Sequence, residues 1–160
     1  MEKRNTLNIT QGAIIAALYV ALTFIANALG LASGAVQIRL SEALTILPMF
    51  TWAAVPGLSV GCLLANLLTG CALWDVIFGT MATLIGSLGT YALRNKNPIY
   101  GAICPVLANG LIVPLVLKFA YEIPGSYWYF VATVTVGEVI CCGILGLLLY
   151  KMIKKTKIFG

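Results

Sequence analysis

A bundle of six membrane-spanning α-helices with both termini in the cytoplasm is the fold this sequence predicts. Three observations predict it. Hydrophobic residues make up 61% of the 160 residues and charged residues only 9%, against roughly 45–50% and 25% in soluble domains. Apolar runs as long as a bilayer is thick recur along the chain. Lys and Arg gather at the two ends and in one turn, the distribution that orients a membrane protein. The length suits a single domain covering residues 1–160. A cytoplasmic enzyme and a disordered chain are both excluded by this composition. The net charge of +5, placed as it is, makes a poor footprint for nucleic acid. The chain reads as a multi-pass protein of the cell membrane.

The elements follow in order. The first span is residues 11–31, with Lys3 and Arg4 ahead of it. Its apolar run suits a crossing helix better than the short core of a signal peptide. A loop, 32–40, follows. The stretch 41–71 is broken by Pro48, Pro56, Gly57 and Gly70, and charge decides how to divide it. Lys3 and Arg4 stay inside, and so does the tail of Lys151, Lys154, Lys155 and Lys157, which requires an even number of spans. Dividing at 54–57 gives span 2 at 41–53 and span 3 at 57–68. Arg94 and Lys96 then also fall inside. Eight Lys or Arg residues lie inside, and two, Arg39 and Lys118, lie outside or near it. Both pieces are short for a hydrocarbon core of roughly 30 Å. Either they extend past these limits or they pack inside the bundle. Span 4 is 75–93, closed by the polar turn 94–98. Span 5 is 99–118. A loop at 119–126 leads to span 6 at 127–150.

An ionisable group at the bilayer centre costs roughly 2.5–3.5 kcal/mol even on lenient scales. Glu138 lies near the midpoint of span 6. Asn109 lies about ten residues into span 5 and Asn66 about nine into span 3. At roughly 1.5 Å per residue, the three reach one depth. They form either the polar floor of a pocket or separate structural hydrogen bonds between helices. A second cluster marks the outer face: Arg39, Ser41, Glu42 and Asp75. Ser41 is a candidate helix cap, and the acids complement helix N-termini. Arg39 would then pair with either acid. Alternatively the four make a polar rim leading into a pocket that opens outward. Trp74, Phe78, Trp128 and Tyr129 lie at the same side, as stacking surfaces or as bilayer anchors. Acids, amides and flat rings suit a planar, nitrogen-rich, neutral-to-cationic ligand. A carboxylate accepts two N–H bonds from a guanine-like edge, and a ring stacks on its face. By depth, Glu138 is the principal acid for that edge, and Glu42 or Asp75 meets an amine nearer the mouth.

Other chemistry is missing. The chain has no His, so His acid–base catalysis and His metal ligation are excluded. Its cysteines, Cys62, Cys71, Cys104, Cys141 and Cys142, form no C-x-x-C pair and read as small apolar filler. No cofactor or metal is expected. There is no P-loop, so any ATP must be hydrolysed by another chain. Ala13, Ala17 and Ala21 make a smooth strip on span 1, as Gly57, Gly61 and Ala65 do on span 3. Such strips admit a close helix, internal or from a partner.

The segments QIRLSEALTILP (37–48), PGLSVGCLLANLL (56–68) and DVIFGTMATL (75–84), with Asn109 and Val136-Gly137-Glu138, resemble the QueT family of queuosine-precursor transporters. These are substrate-binding (S) components of energy-coupling factor importers, a class of ABC transporter. The resemblance covers nearly the whole chain. It implies six helices in a bacterial cytoplasmic membrane with both ends inside. It implies a 7-deazaguanine ligand, either the aminomethyl or cyano precursor or queuine. Its partners would be a transmembrane coupling subunit and two cytoplasmic ATPases, with the coupling subunit docking on Ala13, Ala17 and Ala21. The main rival is a stand-alone proton-coupled carrier of small molecules or cations that uses Glu138. An intramembrane enzyme and a purely structural subunit are weaker rivals, since the first lacks motifs and the second leaves the midplane polar groups without a use.

Overall fold

The computed structural model describes residues 2–31, 37–119, 122 and 124–156, with the backbone alone for 2–4. Residues 32–36 of the first loop and Lys157 of the basic tail lie outside the described residues. Every regular element among the described residues is a helix. In order they are α1 (Glu2–Ala28), a 3-10 helix (Leu40–Met49), α2 (Ala54–Leu68), α3 (Leu73–Ala92), α4 (Pro98–Phe119) and α5 (Tyr127–Glu138). A π-helical segment (Val139–Leu145) and α6 (Gly146–Thr156) continue α5 without a break.

Four helices are long and apolar enough to cross a membrane: Asn5–Ala28, Leu73–Ala92, Pro98–Phe119 and Tyr127–Thr156. Two apolar helices are shorter, Leu40–Met49 and Ala54–Leu68. These are the pieces expected as spans 2 and 3. The first is not a conventional span. Ten residues of 3-10 helix rise only about 20 Å at ~2 Å per residue. Ser41, Glu42 and all residues from Leu44 to Met49 are buried, so this helix packs inside the bundle instead of extending. α2 begins at Ala54, three residues ahead of the expected start at Gly57. The final helix runs past the expected end at Tyr150 to Thr156.

The 3-10 helix is the hub of the core. Leu44 and Leu47 pack with Ile15, Tyr19, Leu58, Cys62 and Ile153, while Ile46 and Met49 pack with Ala102 and, at its edge, Tyr150. Phe50 just beyond it meets the Tyr150 ring at 4.9 Å between centroids.

Glycine sets the closest approaches. A Cβ on Gly61 would lie 2.8 Å from Tyr19 Cβ and 3.0 Å from Ala16 Cα, and one on Gly57 would lie 2.7 Å from the Gly12 carbonyl oxygen. The strip of Gly57, Gly61 and buried Ala65 is therefore internal packing of α2 on α1. The α1 residues it meets are Gly12, Ile15, Ala16 and Tyr19. Ala13, Ala17 and Ala21 are exposed on another face of α1.

The outer surfaces carry Phe24, Leu64, Met81, Ile85, Leu107, Leu111 and Leu148, all exposed. Exposed apolar surface this extensive is untenable in water and fits hydrocarbon.

Candidate functional site

The chain enters the site from Gln37 to Arg39 in extended form; Arg39 itself has φ −96° and ψ 92°. The 3-10 helix then starts at Leu40. Arg39, not Ser41, holds the cap position, and no side chain caps it. Ser41 lies inside the helix, where its Oγ accepts a 3.0 Å bond from the Thr23 hydroxyl. This links the 3-10 helix to α1.

Arg39 chooses between the two acids. Its guanidinium pairs with Asp75 at 3.7 Å, with side chains 22% and 7% exposed. Burial works against its charge, but Asp75, helped by Tyr19, Cys62 and Glu42, outweighs that and holds its pKa above the ordinary value. Asn66 stands beside this pair. Its Nδ2 donates to the Asp75 backbone carbonyl at 3.3 Å, tying α2 to α3. These residues line a polar cavity of about 320 Å³, together with Tyr19, Thr23, Asn27, Gln37 and Ser41. The cavity reaches the surface at exposed Asn27.

Glu42 occupies a different place from the rim expected for it. The short 3-10 helix carries its carboxylate into the bundle, where Glu42 is 1% exposed. One carboxylate oxygen accepts the Tyr19 hydroxyl, and the other accepts Asn109 Nδ2 at 3.2 Å. Glu138 lies beside it, also buried. The carboxylates of Glu42 and Glu138 and the Cys142 thiol lie within 4.8 Å of one another. Cys142 Sγ is 3.1 Å from Glu138 Oε2 and 3.4 Å from the Glu42 backbone oxygen. Thr45 donates to that same backbone oxygen at 2.6 Å. Two carboxylates this close inside a bundle repel unless a proton or a cationic donor stands between them. The π segment begins immediately after Glu138. Such wide turns are frequent at functional sites.

The expected single layer of Asn66, Asn109 and Glu138 thus divides. Asn109 sits against both carboxylates, bonding Glu42 and Glu138. Asn66 belongs with Asp75 and Arg39, because it lies two residues from the end of α2 at Leu68. Asp75 lines the cavity; Glu42, Asn109 and Glu138 do not line it, and Tyr19 stands between them and it. Trp74 and Phe78 are not brought to the polar residues. They stack on each other at 5.9 Å and face outward, lining a separate apolar groove with Ile112, Leu115, Val116 and Phe119.

Sequence reasoning missed Tyr19 and Cys142. A phenol in an apolar span seeks a partner for its hydroxyl when buried, and Cys142 falls four residues after Glu138, on the same helix face.

Residues 9–155 match the family described as the QueT transporter. The chain belongs to the QueT transporter family. This is a family of transporters, not enzymes, and with the apolar helices described above it makes the chain a multi-pass membrane protein. A protein of Lactococcus lactis subsp. cremoris (strain MG1363) named queuosine precursor transporter QueT is 36% identical over 86 residues, which are 53% of this chain and 50% of that protein. The match thus spans half the length of that relative. No solved structure matches the chain.

Proposed function

We propose that this chain is the substrate-binding component of an energy-coupling factor importer for a 7-deazaguanine queuosine precursor. Family membership and the name of the Lactococcus relative support the ligand class. The observation that carries the chemistry is the state of Glu42. Its carboxylate accepts one donor on each oxygen, Tyr19 O–H on one and Asn109 N–H on the other. A guanine-like edge presents two adjacent N–H donors, and a buried carboxylate accepts them with two charge-assisted bonds. The ligand enters the polar cavity past Asp75, Arg39 and Asn66. Its N–H groups then take over acceptors that Tyr19 and Asn109 now fill. Glu138, against Glu42, supplies further negative charge for an amine. Asp75 serves the same purpose nearer the mouth.

ATP-driven transport requires partners, since the chain has no P-loop. A coupling subunit and two ATPases supply the energy, and the exposed strip of Ala13, Ala17 and Ala21 is where the coupling subunit docks. Six crossings with both ends in the cytoplasm complete this reading, with the 3-10 helix and α2 as the two short passages.

The buried Glu42–Glu138 pair also favours a second reading, a proton-coupled carrier acting alone. Two measurements separate them. Isothermal titration of the purified chain should show binding of the aminomethyl-deazaguanine and none of riboflavin, with guanine weaker. Uptake by liposomes holding this chain alone under a proton gradient should be absent; its presence would establish the carrier instead. Ala17→Leu should weaken copurification with the coupling subunit and leave ligand affinity within about twofold, because one isobutyl group holds two helices apart.

A further inference from the structure

The apolar groove lined by Trp74, Phe78, Ile112, Leu115, Val116 and Phe119 has a volume of about 410 Å³. It lies between the first turns of α3 and the last turns of α4, two of the membrane-crossing helices. Every residue lining it is aliphatic or aromatic. Trp74 is 56% exposed and Phe119 is 71% exposed, so the groove opens sideways, continuous with the lipid-facing surface of Ile77, Met81, Leu107 and Leu111. A flat apolar surface lets lipid chains slide past. A concave one of this size, floored by the Trp74–Phe78 stack, holds one chain in place.

Charge selects which lipid. Arg39 and Lys118 are the two cations at this end of the bundle. Arg39 is committed to Asp75 inside the polar cavity. Lys118 sits in the last turn of α4 with its Nζ 5.6 Å from the centroid of the Phe119 ring, at the lip of the groove. Among the described residues it makes no ion pair. An ammonium on a helix end beside an apolar channel fits an anionic headgroup above its own acyl chain.

We propose that this groove binds one acyl chain of an anionic phospholipid, whose phosphate pairs with Lys118. The site is separate from the polar cavity, which is lined by Asp75 and Leu117 on the adjoining faces of the same two helices.

Trp74 reports its occupant. In the full chain carrying Trp52→Phe and Trp128→Phe it is the single tryptophan, and bromine on an acyl chain quenches its fluorescence on contact. In mixed micelles, brominated phosphatidylglycerol should quench at an about fivefold lower mole fraction than phosphatidylcholine with the same chains, as one lysine–headgroup attraction gives. Lys118→Ala should abolish the preference and Lys118→Arg keep it. Lys118 is exposed, so neither change threatens the fold. Equal quenching by the two headgroups, or a preference that survives Lys118→Ala, overturns the proposal. Equal or stronger quenching by a brominated free fatty acid assigns the groove to fatty acids instead. Quenching that weakens as protein concentration rises assigns it to a second copy of this chain. Either result also overturns it.

Discussion

The polar cavity and the apolar groove share two helix ends. Trp74 and Asp75 are neighbours at the start of α3, and Val116 and Leu117 are neighbours near the end of α4. In each pair one residue lines the groove and the other lines the cavity. One residue turns a helix by about 100°, which is enough to separate a lipid-facing surface from a ligand-facing one. Depth and chemical type alone therefore do not assign a residue to a site. Trp74 and Phe78 lie at the level of Asp75 and have the right rings for stacking on a base, yet they face outward.

Glu42→Gln strikes hardest. Glu42 accepts Tyr19 and Asn109 on its two oxygens, and the amide turns one acceptor into a donor. The Tyr19 hydroxyl can turn to accept from the new amide, but two charge-assisted bonds give way to weaker neutral ones, at a cost of about 2 kcal/mol. The melting temperature of the ligand-free protein in detergent should fall clearly; an unchanged value means that the two bonds do not hold Glu42 in place.

Gly61→Ala tests the wall behind the cavity. The added Cβ would sit 2.8 Å from Tyr19 Cβ, so α1 and α2 must part or Tyr19 must move, costing about 1–3 kcal/mol as other overpacked sites do. Both stability and ligand affinity should drop. Loss of stability with full affinity would detach Tyr19 from the ligand path.

Asp75→Asn removes the partner of Arg39 and an acid on the cavity wall. Ligand affinity should fall about tenfold, near 1.4 kcal/mol, with stability little changed because Arg39 keeps some solvent contact. The smallest effect belongs to the groove. Trp74→Ala with Phe78→Ala should change ligand affinity less than about twofold. A tenfold loss there would return these rings to the ligand site.

Much of the fold was legible in the sequence because hydropathy and charge are coarse, additive signals. The helices now seen as α1, α3, α4 and the α5–α6 continuation all fall where apolar runs predicted them. The stretch 41–71 was legible as two pieces, through charge parity and Pro56-Gly57, but the 3-10 winding of the first piece was not. Its pitch depends on packing against several neighbours, which no local propensity records. That winding is what moves Glu42 from the rim to the interior.

The candidate site was read in part. Glu138 and Asn109 were found by the cost of polar groups in hydrocarbon, and Arg39 with Asp75 by their place at the outer end. Asn66 was placed too deep, because counting residues from an assumed helix start turns a boundary error into a depth error. Tyr19 was passed over because a phenol in an apolar run looks like any other aromatic until its hydroxyl partner is known.

In the proposed function a buried carboxylate behind Tyr19, not the outward rings, reads the ligand's N–H edge. Isothermal titration of aminomethyl-deazaguanine into wild type, Glu42→Gln and Glu138→Gln tests it most directly. A site built to bond an N–H loses its selectivity when the acceptor is lost, by up to about 10⁴-fold. Glu42→Gln should lose at least about a hundredfold in affinity while remaining folded by circular dichroism, and Glu138→Gln about tenfold. Wild-type affinity in Glu42→Gln would contradict the account and leave the rim of Asp75, Arg39 and Asn66 as the whole of the site.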